Sequence, residues 1–252
     1  MSSQKPLVVV SGATVRALTR KPDSDKAKAL AAKGVEVFRA DLSIKEDVKN
    51  ALNGADIAFI VTSFWDPSIY PNNMAEEERQ GKMIADVAQE VGLNWLLYSA
   101  YTSNFGTFFP IITKDDGTSE FVVPMVKEDT TIEIVDAEAD TGPIVVKVIE
   151  EGPEKWNGRR VPIASESISF GKIAEILTKG SPNREEMKKE VPYLDNPKIS
   201  DMFRWYNDYG VFRSEKEISD ISIAKVLHPN ITTFEQYAHK KWELQSKQMT
   251  IL

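Results

Sequence analysis

Apolar residues in the first hundred positions come in short runs separated by amphipathic stretches, the alternation expected of a parallel sheet covered by helices. Val8-Val9-Val10 and the segment Val15 to Arg20 read as strands. Ser24 to Gly34 predicts an alanine-rich helix closed by a glycine cap, and Val35 to Arg39 the next strand. Asp41-Leu42 ends that strand, Ile44 to Leu52 predicts an amphipathic helix capped near Ser43, and Asn53-Gly54 stops it before Ile57 to Val61. That run predicts a buried parallel strand. A helix over roughly Ala75 to Val91 follows, stopped by Gly92, and Trp95 to Ala100 predicts a second buried strand.

The pattern loosens afterwards. Thr141 to Ile149 predicts a helix, Trp156 to Arg159 a turn, Arg160 to Ala164 a strand, and Ser169 to Thr178 a helix with Ile173, Ile176 and Leu177 on one face. Aromatic residues crowd from Ile199 onward. Met202 to Tyr206 and Tyr209 to Phe212 are expected to anchor a helix in the core, with partner docking by Trp205, Tyr206 and Tyr209 as the alternative.

One join is anomalous. Val10-Ser11-Gly12-Ala13-Thr14 leads straight into Val15, yet neighbouring parallel strands need a crossover of roughly a dozen residues, normally a helix. The expected architecture is therefore α/β, a Rossmann-like, mostly parallel sheet with helices on both faces but lacking the first βαβ helix, plus a smaller carboxy-terminal α/β subdomain. The boundary is expected at 113/114: a core over residues 1–113 and a substrate or partner subdomain over 114–252, partly interleaved with it.

Composition narrows the chemistry. The chain has 252 residues, 42% hydrophobic and 27% charged, and no apolar run approaches the ~20 residues that cross a bilayer, so no membrane association is expected. A formal charge of −7 argues against direct nucleic-acid binding, which needs clustered lysine and arginine. With no cysteine there is neither a disulfide framework nor thiolate chemistry. Met1 to Pro6 enters a strand without a secretory or transit pattern, so a cytoplasmic or nuclear location is expected and the sequon Asn230-Ile231-Thr232 should go unused. Glu76-Glu77-Glu78-Arg79 should form a solvated first helical turn complementing the helix dipole. His228 and His239 lack metal-ligand spacing and are expected in surface or capping roles, with no metal site.

The landmarks Val10 to Thr14, Val15 to Pro22, Ala40-Asp41-Leu42, Gly54-Ala55-Asp56, Phe59 to Thr62, Gly81-Lys82, Tyr98-Ser99-Ala100, Tyr101 to Phe105, Asp140-Thr141-Gly142 and Trp156-Asn157-Gly158 together resemble the NmrA-like proteins, atypical relatives of the short-chain dehydrogenases. The resemblance implies an NAD(P)-binding core. Gly12, Ala13 and Thr14 match the phosphate-binding turn; Arg20 and Lys21 match cations set against an NADP 2′-phosphate; Asp41 and Leu42 match the adenine side; and Thr62 lies where the next strand ends.

Three contractions interrupt the match, as in a mispredicted gene model or a degenerate paralogue. The first removes two glycines and a helix after Thr14. The second joins Ala100 to Tyr101 where the family has a lysine-bearing helix, and the third lies around Gly180 to Val191. Ser99 is a weak catalytic candidate only, because Tyr101 is followed four residues on by Phe105 and not lysine; Tyr237 and Lys241 have that spacing as helical neighbours. The reading is an NmrA-like regulator of the nitrogen-metabolite-repression or redox-sensor type, with NADP binding weak or lost and a protein partner such as a transcription factor. The alternatives are an NADPH-dependent reductase and an interaction remnant that binds no nucleotide.

Overall fold

Two parallel pairs organise the amino-terminal half: β1 (Arg16–Thr19) beside β2 (Glu36–Arg39), and β3 (Ile57–Val61) beside β4 (Trp95–Ser99). The computed structural model describes residues 14–64, 66–70, 72–73, 75–99, 111–113, 119–121, 127–180, 197–209 and 220–240, with backbone alone at 111–113, 119–121, 178–180, 197–200 and 202–203. Val8 to Val10, Gly12, Ala13, Tyr101 to Phe105, most of the third contraction and Lys241 lie outside these residues. The chain forms two compact units, Met1–Tyr101 with Glu151–Asn157, and Thr102–Glu150 with Gly158–Leu252.

In the first unit, α1 (Asp25–Ala31) starts at Ser24, whose hydroxyl oxygen accepts the Ala27 N–H at 3.3 Å. The turn to β2 uses Gly34 at φ 84°, a left-handed conformation that a side chain would strain. The expected cap of α2 (Lys45–Leu52) at Ser43 is corrected: the helix begins after Ile44 with no side-chain cap. Ser43 is spent elsewhere, its N–H and hydroxyl both donating to the Asp41 carboxylate at 2.9 and 2.7 Å, while Asp47 in the first turn accepts the Asp41 N–H at 2.9 Å. The far end of α2 is closed by β1, where Arg16 donates to the Ala51 carbonyl at 2.9 Å, pairs with Glu36 at 3.0 Å and lies over the Phe38 ring.

One apolar cluster joins both strand pairs to their helices. Leu18 of β1, Val48, Ala51 and Leu52 of α2, Ala58 and Ile60 of β3, and Ile84, Val87 and Ala88 of α3 (Ala75–Glu90) are all buried in it. Each large aliphatic side chain so buried contributes about 1.5–3 kcal/mol. β3 is buried almost throughout, as expected of a strand covered on both faces. β4 is not: Trp95 is buried, but Tyr98 is 41% exposed. Among the described residues β4 pairs along one edge only, and Gly81 of α3 leaves room for the Tyr98 hydroxyl, which an added Cβ would meet at 3.0 Å.

Among the described residues the strand ladders of the second unit are antiparallel. A short ladder joins β5 (Ile111–Thr113) to β6 (Ser119–Phe121), and a longer one joins β7 (Thr131–Ile134) to β8 (Glu166–Ser169). Around the latter lie α4 (Thr141–Glu151), α6 (Phe170–Gly180), α7 (Pro197–Tyr209), α8 (Ser222–Leu227) and a helix over residues 234–240; the one-turn α5 (Pro153–Trp156) belongs to the first unit. The strand expected over Arg160 to Ala164 is corrected, since the chain there is irregular and the strand forms at Glu166. The partner decides this. β7 ends at Ile134, whose carbonyl accepts both the N–H and hydroxyl of Ser165, and the chain then turns at Asp136, so that among the described residues no strand runs beside 160–164. No helix among the described residues is long and apolar enough to cross a membrane.

Candidate functional site

Parallel strands deliver their carboxyl ends to one side, so residues just past those ends converge although far apart in sequence. Arg20 follows β1, Asp41 lies two residues beyond β2, Thr62 follows β3, and Ser99 closes β4 opposite Val61. Arg20 reaches across to the loop after β3 and donates through Nη2 to the Asp66 carboxylate at 2.6 Å; its Nη1 is 4.0 Å from Asp41. This contact joins the end of β1 to the loop after β3.

The geometry assigns each expected residue a surrounding. Lys21 is exposed in the turn that leads to α1, its N–H donating to the Thr19 hydroxyl and its carbonyl accepting the Ser24 N–H. Asp41 shapes the turn through Ser43 and stands near Arg20, while Leu42 packs against the apolar cluster. Thr14 is exposed, and β1 begins two residues later, with no helix between them. Gly12 and Ala13 are outside the described residues.

Thr62 is drawn into a hydroxyl chain. It donates to Glu77 Oε1 at 2.8 Å, and the Tyr98 hydroxyl lies 2.9 Å from the same Thr62 oxygen. With the Thr62 proton directed to the carboxylate, Tyr98 is the donor of the second bond. The expected solvated acidic turn is thus corrected at Glu77: Glu78 is exposed and pairs with Lys82, Glu76 pairs with Arg79, but Glu77 turns toward the strand end. Bonds from Arg79 and Gln80 hold the Glu76 carboxyl at about 2.

Three groups that the sequence did not assign to a site therefore shape this end: Asp66, Glu77 and Tyr98. Asp66 is buried at 6% exposure and accepts the N–H and hydroxyl of Ser68. The Ser68 hydroxyl bond lowers the Asp66 carboxyl below its ordinary range; burial opposes this, and the Ser68 N–H and Arg20 reinforce it. The Asp66-Pro67-Ser68 turn signal was readable, but its reach to Arg20 was not.

The remaining candidates lie elsewhere. Tyr237 is half-buried, and burial first, then Asp136 and Glu138, push its phenol above the ordinary value, opposite to what a catalytic tyrosine acid needs. His228 follows α8 and sits with Nε2 3.2 Å from Asp140. No group of three or more potential ligands that could hold a metal occurs among the described residues.

The sequence model described as the NmrA-like family matches residues 5–103 and 96–238. The chain belongs to the NmrA-like family. Among NmrA-like relatives, an oxidoreductase of Aspergillus sp. (strain MF297-2), notA, is 28% identical over 217 residues, covering 65% of this chain and 64% of that protein. The nitrogen metabolite repression protein nmrA of Emericella nidulans is 25% identical over 168 residues, 63% of this chain and 46% of its own length. The chain thus spans less than two thirds of either. Crystal structures of the negative transcriptional regulator NmrA share the fold: the complex with NAD has a TM-score of 0.70 at 19% identity, covering 94% of this chain and 90% of that one. The complex with NADP gives 0.64 at 20%, covering 93% and 89%.

Proposed function

We propose that this NmrA-like chain is a regulatory protein that takes a nicotinamide dinucleotide at the carboxyl ends of its parallel strands and acts through contact with a protein partner, such as a transcription factor. The observation that carries the reading is that Arg20, at the end of β1, stands beside Asp41, just past β2, with its side chain 42% exposed. A planar cation at the end of the second family strand suits a 2′-phosphate, so NADP is the favoured dinucleotide. Binding is weak. β1 starts two residues after Thr14, so the helix amino terminus that would hold the pyrophosphate does not intervene there. Each lost neutral hydrogen bond costs about 0.5–1.5 kcal/mol.

A reductase is the second reading, favoured by the relatives named as oxidoreductases. Ser99 stands at the right end of β4 to orient a carbonyl, but the nearby Tyr98 hydroxyl is bonded to Thr62, and Tyr237 has a raised phenol value. Calorimetric titration with NADP and NAD, followed by a carbonyl panel with NADPH, separates the readings. Weak binding with NADP favoured and no substrate-dependent oxidation is expected. Steady oxidation abolished by Ser99→Ala would replace the regulator with the reductase, and absence of all dinucleotide binding would leave an interaction remnant.

A further inference from the structure

Any anion that seeks Arg20 meets a guanidinium already held by this chain. Asp66 reaches it from a buried position, 8% exposed in its side chain, whereas Arg20 is 42% exposed. The aspartate is anchored independently of the arginine: Ser68 donates its N–H at 2.9 Å and its hydroxyl at 2.6 Å to Oδ1, leaving Oδ2 directed at Arg20 Nη2. Backbone bonds from Ile69 and Tyr70 to the Asp66 carbonyl brace the same turn. A second carboxylate, Asp41, stands 4.0 Å from Nη1. The fixed partner is therefore the anion, and the partner facing solvent is the cation.

We propose that Asp66 is a built-in competitor for Arg20 that sets how strongly this chain discriminates a 2′-phosphorylated adenine dinucleotide from an unphosphorylated one. The proposal rests on the dinucleotide reading above. A phosphate gripping both amino groups of a guanidinium needs the Nη2 donor that Asp66 occupies, and it must also approach a buried negative charge. NAD carries no phosphate at the ribose 2′ position and does not incur either cost. Asp66 thus narrows the preference for NADP without abolishing it.

The test uses Asp66→Asn in the full chain, because asparagine keeps an oxygen acceptor for Ser68 while removing the charge. Isothermal titration with NADP and with NAD at up to millimolar ligand should show NADP binding about tenfold tighter than in the parent, one decade corresponding to 1.4 kcal/mol. NAD affinity should move less than about twofold, since NAD presents no 2′-phosphate to the released guanidinium. Adding Arg20→Ala should erase the gain. Asp66→Ser, small enough for the buried position, gives the same comparison should the asparagine variant not fold. An unchanged NADP to NAD ratio, an equal gain for both dinucleotides, or a gain that survives Arg20→Ala would each overturn the proposal. Failure of parent and variants alike to bind either dinucleotide would overturn the dinucleotide reading itself, and the proposal with it.

Discussion

Two buried aspartates, Asp66 at 6% exposure and Asp140 at 1%, hold very different things. Asp140 precedes α4, yet its carboxylate takes the N–H and hydroxyl of Thr232, 92 residues away, each at 3.1 Å, with His228 Nε2 at 3.2 Å. It fastens the segment between α8 and the final helix to the start of α4. Asp66 takes the N–H and hydroxyl of Ser68 in its own turn and pairs with a half-exposed arginine at the strand ends. A buried carboxylate bonded to distant backbone and hydroxyl donors is a structural tie. One bonded locally, with a solvent-facing cation beyond it, adjusts the charge that a ligand meets.

The largest effect expected from breaking this contrast is at Asp140. Asp140→Ala should destabilise the second unit by about 1–3 kcal/mol, because a part-buried N–H and hydroxyl lose their acceptor, and should leave dinucleotide affinity nearly unchanged. Urea unfolding checks the first half; a loss below about 0.5 kcal/mol would remove the tie. Arg20→Ala should do the reverse. Stability should fall by no more than about 1 kcal/mol, while NADP affinity drops about ten- to a hundredfold with NAD little changed, read by competition titration.

Glu133 sharpens the comparison at a third, partly buried carboxyl. Its Oε1 accepts from Ser167, Oε2 has no hydrogen-bond partner among the described residues, and burial raises the carboxyl above its ordinary value. A raised value in the folded state means that stability is lost as pH rises from the ordinary carboxylate range through the folded one. Glu133→Gln should therefore raise the melting temperature at pH 7, by up to about 1 kcal/mol of stability, and change little at pH ~3, well below the ordinary carboxylate value, where both states are protonated. An equal gain at both pH values would discard the charge as the cause.

The smallest effect is at Glu76, partly buried in the first turn of α3 and held at about 2 by Arg79 and Gln80. Because the folded value is depressed, any stabilisation is present above the ordinary carboxylate range and fades as pH falls toward 2. Carbon-detected NMR titration should find its midpoint well below that of Glu78, whose carboxyl is also lowered, by Lys82. Coincident midpoints would reduce the Arg79 contact to a transient one.

Periodicity alone marked β1, β2, β3, α1, α3 and α6, because a helix or strand with one buried face must repeat its apolar residues at the element's own spacing. The family landmarks likewise marked Arg20, Asp41 and Thr62, which follow strand ends whatever the rest of the fold does. Tertiary structure decided what sequence spacing does not encode. Glu166 to Ser169 became the strand, and Arg160 to Ala164 did not, because β7 offered a ladder only to the former. Ser43 turned to the Asp41 carboxylate and left α2 without a side-chain cap, and Glu77 turned to Thr62. Asp66 met Arg20 across 46 residues. Local pattern records which face of an element avoids water; the partner of a polar group is set by whichever donor the folded chain brings within about 3 Å, and that is a property of the whole arrangement.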